Sequence, residues 1–156
     1  MIVVSACLAG LEVRYDGGHN LYEKIQKLVE ENKAVTVCPE VLGGLPTPRV
    51  PAEIIGGNGE DVISGKAKVV DRKGKDVTAQ FIKGAEETLK QAQKVEASVV
   101  VLKESSPSCG SNLIYNGEFS GKKIAGMGVT AALLRRHGIK VISETEFLES
   151  LVEKEN

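Results

Sequence analysis

Ala97-Ser98-Val99-Val100-Val101-Leu102-Lys103-Glu104-Ser105-Ser106-Pro107-Ser108-Cys109-Gly110 is the stretch that decides the fold. Its first six residues form the most strand-like run of the chain, and the Ser, Pro and Gly residues that follow end it abruptly. The same succession of apolar run, then cysteine in a polar loop, occurs twice more. Met1 to Ala6 precedes Cys7, and Ala34 to Val37 precedes Cys38. In an open α/β sheet, parallel strands release their loops at one carboxyl edge, where ligands bind. Three thiols carried by three such loops can therefore meet at a single site.

The segments between these runs read mostly as helices. Leu21 to Glu31 places Leu21, Ile25, Leu28 and Val29 on one face, with Asn20 as its N-cap. Thr78 is read as capping a helix that runs to about Lys94, with Phe81, Ala85, Leu89 and Ala92 on its apolar face. Val129 to Arg136 is helical and stopped by Gly138, Ile139 to Ile142 is a strand, and Glu144 to Glu153 is a closing helix. The Pro and Gly residues from Leu42 to Pro48 read as a long loop. Asp61 to Val77 reads as a β excursion turning at Lys73-Gly74, and Ile114 to Lys123 as a small hairpin around Asn116-Gly117. Strands alternating with helices predict an α/β fold: three-layer and Rossmann-like, with a mainly parallel sheet and small β-hairpin excursions. One domain spanning residues 1–156 is expected, without internal repeats.

Composition narrows the function. The formal net charge is −1 over 156 residues and the basic residues are scattered, so the footprint of extended nucleic acid is missing. Tryptophan is absent and aromatics are few, which disfavours base-stacking platforms for single strands. No apolar run approaches the ~20 residues of a membrane span, and the start of the chain has no signal-peptide pattern. The expectation is a soluble cytoplasmic protein. With three cysteines and no export signal, a disulfide framework is disfavoured, leaving thiols, metal ligands or a nucleophile.

Gly10, Pro39 and Gly110 lie close to the cysteines, and Glu40, Glu104, Ser105, Ser106 and Ser108 share their loops. These are poor surroundings for core cysteines. Three thiolates without a nearby fourth suit a metal centre with one open coordination position. For zinc that pattern marks catalytic sites; for iron, a cubane held by three cysteines leaves one iron open as a Lewis acid. Spacing does not choose between them. Arg14-Tyr15-Asp16-Gly17-Gly18-His19 forms a further polar loop, while His137 reads as a helix C-terminal residue complementing the macrodipole. Gly126-Met127-Gly128-Val129-Thr130-Ala131-Ala132 matches a dinucleotide fingerprint only weakly. It reads better as a tight turn into a helix whose open backbone N–H groups receive an anion or a substrate carbonyl.

Taken together, three ordered motifs closely resemble the thiouracil desulfidase (TudS-like) family, long catalogued as domain of unknown function 523. They are Ser5-Ala6-Cys7-Leu8-Ala9-Gly10 with Arg14-Tyr15-Asp16-Gly17, then Val37-Cys38-Pro39-Glu40 through Pro46-Thr47-Pro48-Arg49, then Lys103 to Gly110. The resemblance extends to Gly128-Val129-Thr130-Ala131-Ala132-Leu133-Leu134, with Val50 standing where the family often has proline. It implies that Cys7, Cys38 and Cys109 hold a [4Fe–4S] cluster whose fourth iron takes the sulfur of a thiolated pyrimidine or a related thionucleoside. Hydrolysis then leaves the oxo base and a sulfide on the open iron, with no external electron. Within that frame Glu40 is expected to act as the base, two residues past a ligand, with Ser105 favoured over Ser108 for the developing charge and Asp16 in support. Arg14, Tyr15, Ser106 and Gly128 are the expected substrate contacts. A non-catalytic iron–sulfur or thiol sensor, a sulfur-trafficking protein and a zinc hydrolase with three thiolate ligands are the competing readings.

Overall fold

The structure, a computed structural model, describes residues 1–6, 19–46, 49–104 and 106–155, with side chains for all of these but 19–22 and 151–155. In chain order they form β1 (Ile2–Ser5), α1 (His19–Glu30), β2 (Ala34–Val37), α2 (Pro39–Leu42), β3 (Ala52–Ile55), α3 (Gly59–Ile63) and β4 (Lys68–Asp71). These are followed by α4 (Thr78–Lys94), β5 (Val99–Leu102), β6 (Leu113–Tyr115), β7 (Lys123–Ala125), α5 (Val129–Arg136), β8 (Val141–Ser143) and α6 (Glu144–Glu155).

Strands β2, β1, β5 and β8 lie side by side in that order and pair parallel throughout. Ile2 stands opposite both Ala34 and Val99, and Val100 opposite Val141. The chain leaves β1 to one side for β2 and to the other for β5 and β8. The topological switch point, where open α/β sheets bind ligands, therefore lies between the carboxyl ends of β1 and β5.

The strands are short and apolar on both faces, as a sheet covered on both sides requires. One face presents Val3, Val37, Val100, Leu102 and Val141 to Ala92 of α4 and Leu134 of α5. The other presents Val4 and Val101 to Ile25 of α1 and Phe147 of α6. Three layers result, as the sequence predicts. Val3, Val4, Val100 and Val101 are wholly buried, and each such side chain contributes ~1.5–3 kcal/mol. A second body of core joins Ile54, Val69, Phe81, Ala85, Ile114 and Val129, so that α4 covers the sheet with its C-terminal half and the β3–β4 pair with its N-terminal half.

Local differences from the sequence reading have identifiable causes. Residues 61–63 are helical, because Asn58 and Asp61 form a reciprocal capping box that starts α3. The strand that pairs antiparallel with β4 is β3, with Ala52 opposite Asp71. The predicted turn at Lys73-Gly74 and the β6–β7 hairpin are both present. Helix α1 begins at His19, placing Asn20 in its first turn instead of at the cap. Thr78 opens α4, but its hydroxyl bonds the backbone of Val69, while the Asp76 carboxylate accepts the Thr78 N–H.

The segment after β2 is not loop throughout. Pro39 fits the first position of a helix because its missing N–H has no intrahelical partner there anyway, and a single turn, α2, forms before Gly43 and Gly44. This turn rests on α4 through two glycines. A Cβ on Gly84 would overlap the carbonyl oxygen of Pro39, and a Cβ on Gly43 would overlap that of Gln80. At an ordinary helix position Gly→Ala gains ~0.5–1 kcal/mol. Gly84→Ala is expected to do the opposite, lowering the urea midpoint by the equivalent of ~1–3 kcal/mol as α2 is pushed away.

Candidate functional site

Cys38 follows the last residue of β2 and takes the extended conformation that precedes α2, with φ −129° and ψ 98°. Its carbonyl accepts the Leu42 N–H at 2.9 Å, so the one-turn helix fixes the backbone around the thiol. The Cys38 side chain is half-buried. Arg49 crosses beside it, with Nη2 3.9 Å from Cys38 Sγ and Nη1 donating to the Pro46 carbonyl at 3.3 Å. Arg49 Nε donates to Oε2 of Glu40 in a close ion pair. Burial alone would push the Arg49 guanidinium down, but the Glu40 carboxylate and, beyond it, Cys38 outweigh that and hold it above its ordinary value. Glu40 and Arg49 side chains are only 17% and 27% exposed.

Cys109 lies in the loop that leaves β5 and is buried in the core cluster that holds Val3 of β1 and the last residues of β2 and β5, Val37 and Leu102. Ser106 shapes this loop: its hydroxyl oxygen accepts the Cys109 N–H at 2.6 Å and its carbonyl accepts the Gly110 N–H at 3.0 Å. The loop is tied to β1 where the Lys103 N–H donates to Ser5 Oγ at 3.0 Å. Glu104 is a structural carboxylate. One of its oxygens accepts the N–H groups of Ser111, Asn112 and Leu113 at 2.9 to 3.1 Å, and the other accepts the Ser111 hydroxyl at 2.7 Å.

Two sequence expectations are corrected at the start of α5. The N–H groups of Gly128, Val129 and Thr130 donate to the carbonyls of Gly110, Pro107 and Ser108, and that of Ala131 also reaches Ser108. None is open to an anion or a substrate carbonyl; the helix dipole is spent on holding the cysteine loop. Gly128 is needed because a Cβ would overlap the backbone of Ser108 and Pro107. Ser108 likewise faces inward, its hydroxyl 2.7 Å from that of Thr130 with both residues buried, so it presents no group to a substrate. Ser106, by contrast, lines an open cleft.

That cleft, of about 870 Å³, is within the usual range of small-molecule sites. Glu40, Arg49, Ser106 and Pro107 line it together with Glu53, Arg72, Tyr115 and Phe119. Cys38 is one side chain away, behind Arg49. Neither Cys38 nor Cys109 is in a disulfide. Two thiols held at the carboxyl ends of parallel strands are soft donors that fit an iron–sulfur or zinc centre. The third cysteine, Cys7, lies outside the described residues, as do Arg14, Tyr15, Asp16 and Ser105. No group of three or more His, Cys, Asp or Glu side chains poised for a metal occurs among the described residues. Nor is any described helix long and apolar enough to cross a membrane.

Arg49 is the site residue that sequence reasoning passed over. It was visible only as the end of a Pro-rich motif, with nothing local to announce that it folds back nine positions onto Glu40.

Comparison with known proteins places the chain among relatives over nearly its whole length. The chain is 61% identical over 151 residues to the uncharacterized protein YbbK of Bacillus subtilis (strain 168), covering 97% of this chain and 100% of that one. Among solved structures it matches the [4Fe–4S]-dependent thiouracil desulfidase TudS with a TM-score of 0.79 and 47% identity, over 99% of this chain and 98% of the other. A family model described as 2-thiouracil desulfurase matches residues 2–146. Because that model spans nearly the whole chain, the chain belongs to the 2-thiouracil desulfurase family.

Proposed function

We propose that this protein is a [4Fe–4S]-dependent desulfidase that hydrolyses a thiolated pyrimidine, such as 2-thiouracil or 4-thiouracil, or a related thionucleoside. The observation that carries the reading is the sheet order: β1 runs between β2 and β5, and a cysteine follows each of these three strands. Cys7 stands two residues beyond the end of β1 in sequence. Cys7, Cys38 and Cys109 together would hold the cluster. When bound, it supplies a soft Lewis acid for the thiocarbonyl sulfur, drawing electron density from the carbon to be attacked.

The reaction balances without electrons: a thiocarbonyl and water give a carbonyl and hydrogen sulfide. Glu40 is the proposed base, taking a proton from the attacking water, and Arg49 orients its carboxylate through the ion pair. Ser106 keeps its own hydroxyl proton while its oxygen accepts from Cys109, so it can donate to the exocyclic carbonyl oxygen of a base in the cleft. Ser105 remains the favoured donor to the developing oxyanion, with Asp16 supporting and Arg14 and Tyr15 contacting substrate. Protein prepared and reconstituted without oxygen should be brown, contain iron and acid-labile sulfide, and convert thiouracil to uracil. Colourless protein with one zinc per chain would favour the hydrolase with three thiolates. A brown protein inert towards thiobases would favour a sensor.

A further inference from the structure

Three non-glycine residues among those described have positive φ: Asn32, Glu96 and Phe119. Asn32 and Glu96 lie two residues past the ends of α1 and α4, where a left-handed residue routinely closes a helix. Phe119, at φ +55°, has no such reason. It lies between β6 and β7 in the wall of the cleft, and for a bulky aromatic this conformation is an outlier of the kind found at functional sites.

The surrounding residues are built to hold it there. Glu53 of β3, only 8% exposed, accepts the N–H groups of Gly117 and Phe119 on one carboxylate oxygen, at 2.9 and 3.2 Å. Gly117 is pressed so closely on β3 that a Cβ would crowd the Ile54 carbonyl. Arg72, just after β4, sets its guanidinium over the Phe119 ring, 5.9 Å from the centroid. Two separate segments thus hold the half-buried Phe119, β3 by its backbone and Arg72 by its ring, at the cost of a buried carboxylate and a strained backbone. None of this is needed to close the hairpin, since a glycine at position 119 would adopt the same φ without strain.

We infer that Phe119, held by Glu53 and Arg72, is the specificity-determining platform on which the planar heteroaromatic ring of the substrate stacks. This rests on the proposed function for the identity of that ring. Stacking acts on the ring in both thiolated and desulfurated forms, so it governs binding and leaves the chemical step nearly untouched.

Phe119→Gly separates ring from backbone, because it removes the platform while relieving the left-handed strain. In cluster-loaded protein, the KM for 2-thiouracil and the Kd for uracil by equilibrium dialysis should both rise ~10-fold or more, the scale of a lost base–aromatic stack. The kcat should stay within ~3-fold of the parent value, and the Tm should not fall. Phe119→Leu, which keeps apolar bulk, should lose affinity in the same direction, and Phe119→Tyr should retain it. KM and Kd within ~2-fold of the parent in both ring-less variants would overturn the assignment, as would a parent protein that binds no uracil. If the parent binds uracil but does not desulfurate thiouracil, the proposed function fails, and the uracil Kd of the variants still decides the role of Phe119.

Discussion

Replacing Cys38 with serine is expected to strip anaerobically reconstituted protein of nearly all its iron and acid-labile sulfide, and of its desulfurating activity with them. A serine hydroxyl is a harder and far less acidic ligand than a thiol, so it competes poorly for iron at neutral pH. Cys38 is the cleanest of the three positions for this test. Its side chain is half-buried beside the Arg49 guanidinium, a setting that tolerates a hydroxyl. Cys109, at 6% exposure within the sheet core, is less clean, because replacing a packed thiol by a more polar hydroxyl there also changes the packing of the core. The Cys38→Ser protein should therefore unfold at the same urea concentration as the parent when both are free of metal. Full iron, sulfide and activity in that variant would remove Cys38 from the ligand set.

Glu40→Gln should leave the cluster in place and slow turnover of thiouracil by ~100-fold or more, the usual scale for a lost general base. The amide keeps an oxygen that can accept the Arg49 Nε–H, so the side chain stays oriented while its basicity is lost. The neighbouring carboxylate offers no substitute. Glu104 is occupied by the backbone of residues 111–113 and cannot leave it without unfolding the loop that carries Cys109. Steady-state kinetics together with iron and sulfide analysis would decide the point. Near-normal kcat with the cluster intact would transfer the base to another group, with Asp16 the next to be replaced.

The parts of this architecture that could be read in the sequence are those set by local pattern. Short β-branched runs ending in Gly, Pro and Ser identified β1, β2 and β5, and the spacing of Phe81, Ala85, Leu89 and Ala92 identified α4. The thiols of Cys38 and Cys109 stand where those strands end for the same reason. What escaped depends on partners distant in the chain. The start of α3 is the local exception, where Val62 and Ile63 favour a strand in isolation yet the adjacent capping box of Asn58 and Asp61 commits them to a helix. Gly128 and Ser108 have the composition of a ligand-binding helix start, but residues 107–110 occupy its N–H groups. Gly84 is unremarkable within an amphipathic helix, and only the approach of Pro39 gives it a purpose. Arg49 and Phe119 reach the cleft through folding alone, one by turning back to Glu40 and Cys38, the other from the turn between β6 and β7.

The desulfuration proposed here is a hydrolysis supported by an iron–sulfur centre and needs no reductant. It is tested most directly by incubating reconstituted protein with 2-thiouracil in ¹⁸O-labelled water, without oxygen or electron donor, and analysing the product by mass spectrometry. Uracil carrying one ¹⁸O atom is expected, with sulfide released in equal amount. Uracil formed only when a reductant is supplied, or thiouracil recovered unchanged from protein with its full complement of iron and sulfide, would contradict it.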